Sequence, residues 1–127
     1  MASHPPDKQV ECIIPVLGVA NLSRSIASYI DLLGFAVEWG GHEGAEVCGI
    51  RRDGCAVMLS EHASPGAWVW IGLETDDLFQ TLPRRGVKVI QEPENRAWAY
   101  EMKLADPDGN VLWLGTETRK DLPVLGT

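Results

Sequence analysis

Apolar and polar positions along the chain recur with two periods, and these predict strands and helices in the same order twice. Alternation at every second residue is typical of strands, and recurrence every three or four residues is typical of helices. In the first half we expect a helix between Asn21 and Gly34, which are favoured terminal caps. Its apolar face comprises Leu22, Ile26, Ile30 and Leu33, with Tyr29 alongside. The strands predicted around it span residues 10–19, 35–39, 46–51 and 55–60. Pro15 lacks an N–H, so the first strand should lie at a sheet edge or bend there.

The second half repeats this plan. A helix is expected to begin at Asp76 or Asp77, and Pro83 should bend it or end it early. A polar loop is predicted over residues 91–97. The strands predicted in this half span residues 68–75, 87–90 and the two arms of a hairpin over 100–115.

The repeated order of elements predicts the fold class. Repeat one spans about residues 10–60 and repeat two about 68–116, with a tail over 116–127. Neither repeat has enough sheet to close a core alone, so we expect one domain over residues 1–127. The predicted class is α+β, in which two βαβββ repeats form curved sheets around a central cavity and the helices lie outside.

The last hairpin has two chemically different faces. Its apolar face, expected to pack on helices, comprises Tyr100, Met102, Leu104, Leu112 and Leu114. Its opposite face carries Glu101, Lys103 and Trp113, which makes it a candidate surface for a ligand. The counterparts of this charged pair in repeat one are expected to be Glu46 and Cys48.

Composition and charge exclude several classes of function. The chain has 127 residues and a formal net charge of −7, which disfavours nucleic acid and favours a cationic ligand. It contains no apolar run of about 18 residues that could span a membrane. Its polar start lacks the apolar segment of a signal peptide, so a cytoplasmic location is expected. The three cysteines have no metal-site spacing and are expected to be free thiols.

Two motifs carry a family resemblance. The segments V-A-N-L-S-R-S-I-A-S-Y-I-D-L-L-G-F and L-A-D-P-D-G-N-V-L-W-L resemble the vicinal oxygen chelate superfamily over residues 12–116. That superfamily includes glyoxalase, extradiol dioxygenases, fosfomycin-resistance enzymes and bleomycin-resistance proteins. Its enzymes hold a divalent metal at four strand positions, which the motifs place here at Ile14, Met58, Trp70 and Trp113. These side chains lack the oxygen, imidazole or thiolate donors of such sites, so we expect no family-type metal and no cofactor.

Aromatic side chains take the place of the metal ligands. The sequence is most similar to the bleomycin-resistance subgroup, which shares its W-V-W strand and a tryptophan before the last hairpin. The subgroup context P-W-G is replaced here by Ala97-Trp98-Ala99. The resemblance implies that a small molecule is bound, not transformed, in an aromatic groove of a homodimer. The expected ligand-binding residues are Ile14, Phe35, Trp39, Met58, Trp68, Trp70, Trp98, Glu101, Lys103 and Trp113.

The sequence supports one main hypothesis and leaves alternatives open. The main one is antibiotic resistance by sequestration of a planar, cationic aromatic molecule of the bleomycin type. The first alternative is a metal-independent enzyme in which Glu101 is a general base with a raised pKa, assisted by Lys103. A metal-dependent lyase or transferase is a second alternative. It also remains open whether the indoles fill the cavity and leave no site.

Overall fold

The computed structural model describes residues 8–126 and contains two βαβββ units in succession. The first unit consists of β1 (Val16–Gly18), α1 (Leu22–Leu33), β2 (Ala36–Gly40), β3 (Val47–Arg52) and β4 (Cys55–Ser60). The second consists of β5 (Trp68–Gly72), α2 (Asp77–Arg84), β6 (Lys88–Asn95), β7 (Tyr100–Ala105) and β8 (Val111–Thr116). The predicted α+β class and the duplication are therefore confirmed. Neither helix in this part of the chain is long and apolar enough to cross a membrane.

Each unit forms its own four-stranded sheet with the same topology. The strand orders are β1-β4-β3-β2 and β5-β8-β7-β6, and the first strand of each unit pairs in parallel with the last. The edge position predicted for the first strand is confirmed, and the carbonyl of Pro15 accepts from Met58 N at 2.9 Å. The strand is much shorter than predicted, because residues 10–14 pair with no strand within the described residues 8–126, and Ile13 is 89 % exposed.

Local signals place α1 where the sequence predicts it. The side chain of Asn21 accepts from Arg24 N at 2.9 Å, and Gly34 adopts the left-handed conformation with φ of 70°. Leu22 and Leu33 are buried as expected, but Ile30 is 40 % exposed. Tyr29 takes the central core position on this face, since it lies one position before Ile30 in the helical turn and is 2 % exposed.

A single core joins the two units. Alternate residues of β3, β4, β7 and β8 are buried against the helices, and the predicted apolar face of the last hairpin is on this side: Cys48, Ile50, Val57, Leu59, Met102, Leu104, Leu112 and Leu114. The helices of the two units also meet, because Arg85 Nη1 donates to the carbonyl oxygen of Asp31 at 2.6 Å. The opposite face of each sheet points away from this core.

The turn between β7 and β8 attaches the second unit to the first. Asp106 accepts from Tyr29 Oη at 2.9 Å, and Asp108 accepts from Ser25 Oγ at 2.6 Å. The amide of Asn110 donates to the carbonyl oxygen of the last residue of β1 at 2.9 Å. Burial and the neighbouring carboxylates raise the pKa of Tyr29, so its hydroxyl remains a donor at all ordinary pH values.

Two segments predicted to be irregular make defined long-range contacts. The prediction of a loop over residues 91–97 is wrong, because β6 continues to Asn95 as an edge strand paired with β7. Its polar side chains misled the prediction, since an edge strand can direct them to solvent. Residues 117–126 contain no helix or strand but hydrogen-bond to the end of β6 through Asn95.

Candidate functional site

Four indoles lie on the face of the second sheet that points away from the core. We call this the tryptophan face and define it by Trp68, Trp70, Trp98 and Trp113. Trp113 packs edge-to-face against both tryptophans of β5, with ring centroids 6.2 Å from Trp68 and 5.1 Å from Trp70. This is the geometry that aromatic pairs prefer. The alternation of β5 and β8 produces the cluster, because Trp70 and Trp113 are register partners on neighbouring strands.

A glycine allows the indole of Trp70 to lie flat on the sheet. A Cβ atom added at Gly115 would be 2.0 Å from Cη2 of Trp70, far closer than any van der Waals contact. The first sheet repeats this arrangement, because a Cβ atom at Gly49 would be 2.2 Å from Nε1 of Trp39. Each sheet thus carries an indole that lies across a glycine of the neighbouring strand.

The tryptophan face is open to solvent in the single chain. Trp68, Trp70 and Trp98 are 61 %, 46 % and 60 % exposed, whereas Trp113 is half-buried beneath them. Three exposed indoles on one face form the kind of apolar surface that marks a ligand or protein interaction site. The indoles therefore line an accessible surface and do not fill a closed cavity.

A buried carboxylate lies beside the indoles. Glu101 is 2 % exposed and accepts from Trp98 Nε1 at 2.5 Å and from Gln91 Nε2 at 3.1 Å. The ammonium of Lys103 lies 3.8 Å from Glu101 and donates to Gln91 Oε1 at 2.7 Å. These contacts form one chain of donors and acceptors that fixes all four side chains.

The environment of Glu101 keeps it ionised. Burial by itself raises the pKa of this carboxyl, but the hydrogen bonds from Trp98 and Gln91 and the charge of Lys103 outweigh burial and lower the pKa. A general base works best with a pKa near the operating pH. The lowered pKa therefore gives no support to Glu101 as the base of a metal-independent enzyme.

Lys103 completes the cluster as an internal cation. Its Nζ lies 5.6 Å from the ring centroid of Trp68 and 5.2 Å from that of Trp113, within the range of cation–π attraction. Glu101 balances this charge. The centre of the tryptophan face is thus aromatic and locally neutral.

The remaining predicted site residues lie elsewhere. Met58 and Trp39 belong to the first sheet, and the register partner of Met58 is Gly49. Ile14 is half-buried just before β1. Phe35 packs edge-to-face on Tyr29 of α1, at 6.0 Å, and so belongs to the helix side of the sheet. One chain therefore does not bring the ten predicted residues into a single site.

The proposed counterparts of Glu101 and Lys103 in the first unit are wrong. Cys48 is fully buried in the core, and burial raises the pKa of its thiol. The register pairs Lys103 with Trp113 and Gly49 with Met58, so Gly49 is the true counterpart of Lys103. The error is a slip of one residue. It arises because the first hairpin is one residue shorter at equivalent positions: Gly49 and its partner Met58 are 9 positions apart (58 − 49), whereas Lys103 and its partner Trp113 are 10 apart (113 − 103).

The four positions that would hold the superfamily's metal do not fit one. Ile14, Met58, Trp70 and Trp113 offer no carboxylate, imidazole or thiolate, and an indole N–H is a donor only. Within residues 8–126, no three His, Cys, Asp or Glu side chains are grouped so that they could hold a metal ion.

Sequence patterns missed three contributors to this region. Gln91 belongs to β6, and a register shift between Val89 and Gln91 turns its side chain from the core toward Lys103. Asn95 and Arg96 act through contacts with residues far along the chain. Only knowledge of the β6–β7 pairing could have placed Gln91, and only knowledge of the contacts with residues 119–125 could have placed Asn95 and Arg96.

An apolar cavity of about 320 Å³ lies on the other side of the second sheet. Its lining includes Tyr29, Leu33, Leu82 and Leu112, which belong to the core between the helices and the sheet. It is separate from the tryptophan face and contains none of the predicted site residues.

Comparison with known structures supports the fold. TnmS3, an antibiotic binding protein from Streptomyces sp. CB03234, is 22 % identical, with 91 % of this chain and 100 % of that chain covered and a TM-score of 0.75. TioX from Micromonospora sp. ML1 is 13 % identical, with 83 % and 97 % covered and a TM-score of 0.73. A superfamily member from Sphaerobacter thermophilus DSM 20745 is 21 % identical, with 84 % and 98 % covered and a TM-score of 0.70. Identities this low show a shared fold alone.

Comparison with sequence families identifies the chain. No curated protein matches the sequence significantly. A profile of one superfamily matches residues 13–114, which include both repeated units and the tryptophan face. The chain therefore belongs to the Glyoxalase/Bleomycin resistance protein/Dioxygenase superfamily.

Proposed function

We propose that this protein binds a planar aromatic small molecule against the tryptophan face and sequesters it without transforming it. The observation that carries the proposal is the set of three exposed indoles, Trp68, Trp70 and Trp98, around the half-buried Trp113. A bleomycin-type antibiotic is the proposed ligand class. The structural likeness to TnmS3, itself an antibiotic binding protein, supports this choice.

The energetics of such a surface are sufficient for useful affinity. Each aromatic contact contributes about 0.5–1.5 kcal/mol beyond the burial of its area. Two or three contacts, together with the burial of a planar ring system, reach about −8 kcal/mol, which corresponds to micromolar binding. The edge-to-face packing on Trp113 fixes Trp68 and Trp70 in advance, so these two side chains lose little entropy on binding.

Charge favours a ligand with a cationic substituent outside its ring system. The net charge of −7 attracts cations to the protein as a whole. Lys103 already occupies the cation–π positions over Trp68 and Trp113. The rings of the ligand would therefore lie on the indoles, and its positive group would lie at the perimeter of the face.

We further propose that a second copy of the chain provides the opposite wall of the site. The tryptophan face is one wall only, and Trp39 and Met58 lie on the other sheet of the same chain. In a homodimer, the first sheet of one copy can face the second sheet of the other. That arrangement would bring Trp39 and Met58 of one copy close to the tryptophan face of the other.

Binding titrations of matched variants test the proposal. Bleomycin and the planar cation ethidium would be titrated by calorimetry into wild-type protein and into Trp70→Ala and Trp98→Ala. We expect micromolar binding of at least one compound and a loss of about tenfold in each variant, from the stacking and area removed. Val37→Ala is the control, because Val37 is the register partner of the core residue Ile50 and so lies on the helix side of the first sheet, away from either proposed wall.

Two results would overturn the proposal. One is the absence of heat and of tryptophan quenching with every planar aromatic compound tried. The other is binding that is unchanged in both tryptophan variants, which would place the ligand elsewhere. Sedimentation of the free and ligand-bound protein tests the homodimer separately.

A further inference from the structure

The loop that carries Trp98 is attached to residues 117–126, which we call the C-terminal segment. Thr118 Oγ1 lies 2.7 Å from the carbonyl oxygen of Arg96 and 3.0 Å from that of Ala97, so its hydroxyl donates to this loop. In return, Arg96 Nη1 donates to the carbonyl oxygen of Leu125 at 3.2 Å. The loop and the segment therefore hold each other at two points.

Asn95 forms the buried centre of this attachment. It is 3 % exposed, and its Nδ2 donates to the carbonyl oxygens of Arg119 at 2.9 Å and Leu122 at 3.1 Å. Its Oδ1 accepts from Arg119 N at 2.8 Å, and its own carbonyl oxygen accepts from Leu125 N at 2.8 Å. One residue at the end of β6 thus satisfies, through its side chain and its backbone carbonyl, backbone groups of three residues that have no regular structure.

Arg119 anchors the same segment at its other side. Its guanidinium lies 5.4 Å from the ring centroid of Tyr100 and forms ion pairs with Asp121 at 2.6 Å and Asp76 at 3.5 Å. Tyr100 stacks on Phe79 of α2 at 5.2 Å. The segment therefore contacts the second unit at Tyr100 and Asp76 as well as at Asn95.

Trp98 itself has few contacts that could hold it in place. Its indole is 60 % exposed, so packing fixes it weakly. Two polar contacts orient it: Nε1 donates to Glu101, and the guanidinium of Arg96 lies 5.9 Å from its ring centroid. Arg96 is also the residue that binds Leu125 of the C-terminal segment. The position of the indole thus depends on a loop that the segment holds.

We propose that Asn95 and the C-terminal segment are positioning elements that fix Trp98 at the rim of the tryptophan face. They set the spacing between Trp98 and the indoles of β5, and thereby which ring systems fit. The effect on ligand choice rests on the function proposed above. The effect on the position of Trp98 is a property of the free protein and can be tested without a ligand.

The ligand-free test uses the indole N–H resonances in a ¹H–¹⁵N spectrum. Each of the five tryptophans contributes one signal, and Trp98→Phe assigns that of Trp98. We expect Thr118→Val and Asn95→Ala to shift or broaden the Trp98 signal, while that of Trp39 on the other sheet remains in place. The matched control is Thr116→Val, because the one hydrogen bond of Thr116 Oγ1 within residues 8–126 is long, at 3.4 Å, and joins it to its neighbour Glu117.

The ligand test is a double-mutant cycle with whichever compound, bleomycin or ethidium, the wild type binds. Thr118→Val should weaken binding by about fivefold, the effect of one net hydrogen bond. The same change in a Trp98→Ala background should have no effect, because the segment acts through that indole. A general structural role would instead lower affinity equally in both backgrounds.

The outcomes separate the two proposals. An unchanged Trp98 resonance in both Thr118→Val and Asn95→Ala overturns the positioning role. If Asn95→Ala does not fold, the milder Thr118→Val decides the question alone. A shifted Trp98 resonance in a protein that binds neither compound supports the positioning role and counts against the proposed ligand class.

Discussion

Replacing Glu101 by Gln tests the account of the tryptophan face most directly. The substitution keeps the size of the side chain and removes its charge. The new amide can still accept from Trp98 or Gln91 through its oxygen, but its NH₂ group then faces another donor. Gln91 cannot rotate to relieve this conflict, because its own oxygen accepts from Lys103 at 2.7 Å.

The expected cost follows from these contacts. Hydrogen bonds to a charged group contribute about 1.5–3 kcal/mol, and a neutral one about 1 kcal/mol. Two such bonds are weakened, one donor is left unpaired, and Lys103 loses the carboxylate 3.8 Å away. The free energy of unfolding should therefore fall by about 3 kcal/mol at neutral pH.

The pH dependence gives a second, independent signature. The pKa of Glu101 is lowered in the folded protein from its ordinary value of 4.5. A group of this kind stabilises the fold fully above its unfolded pKa, and the contribution is lost as the pH falls through the folded pKa. The difference in stability between wild type and Glu101→Gln should thus be constant above about pH 5 and shrink at lower pH.

Urea denaturation followed by circular dichroism measures both quantities. Glu38→Gln is the matched control, since Glu38 forms an ion pair with Arg51 at the surface, with both side chains 42 % exposed. That pair is worth about 0.5 kcal/mol or less. Equal stability of wild type and Glu101→Gln at pH 7, or a difference that grows on acidification, would refute the role assigned to Glu101.

Two further substitutions test the packing and the joint between the units. Gly115→Ala places a Cβ atom 2.0 Å from Cη2 of Trp70, so the indole must move. We expect the free energy of unfolding in urea to fall by about 1–3 kcal/mol and the tryptophan fluorescence spectrum to change. An unchanged spectrum would contradict this contact. Tyr29→Phe removes a buried donor to Asp106 and should cost about 1–3 kcal/mol; a neutral effect by the same assay would show that Asp106 is satisfied without it.

Sequence patterns predicted α1 and the last hairpin well because their signals are local. Asn21 and Gly34 act on the backbone within one turn, and the alternation in β7 and β8 assigns each side chain to a face. The placement of Trp113 beside Trp70 follows from that alternation once the two strands pair. Short-range rules were therefore enough for these elements and for the placement of Trp113 beside Trp70.

Long-range contacts explain what the sequence did not predict. The polar residues of β6 resemble a loop, and only pairing with β7 makes them a strand. Asn95 is an unremarkable polar residue in the sequence, yet its partners lie at positions 119, 122 and 125. The helical pattern wrongly predicted that Ile30 is buried. Tyr29 is buried instead, and its hydroxyl donates to Asp106, which is 77 positions away in the sequence.

The turn between β7 and β8 has a consequence for how the chain unfolds. Asp106, Asp108 and Asn110 bond across to residues of the first unit, whereas the shorter turn at Asp53 and Gly54 forms no hydrogen bond to the second unit among residues 8–126. The polar connection at this point is thus provided by the second unit alone. Neither half can then unfold without loss to the other, and substitutions in this turn should lower the cooperative melting temperature of the entire domain.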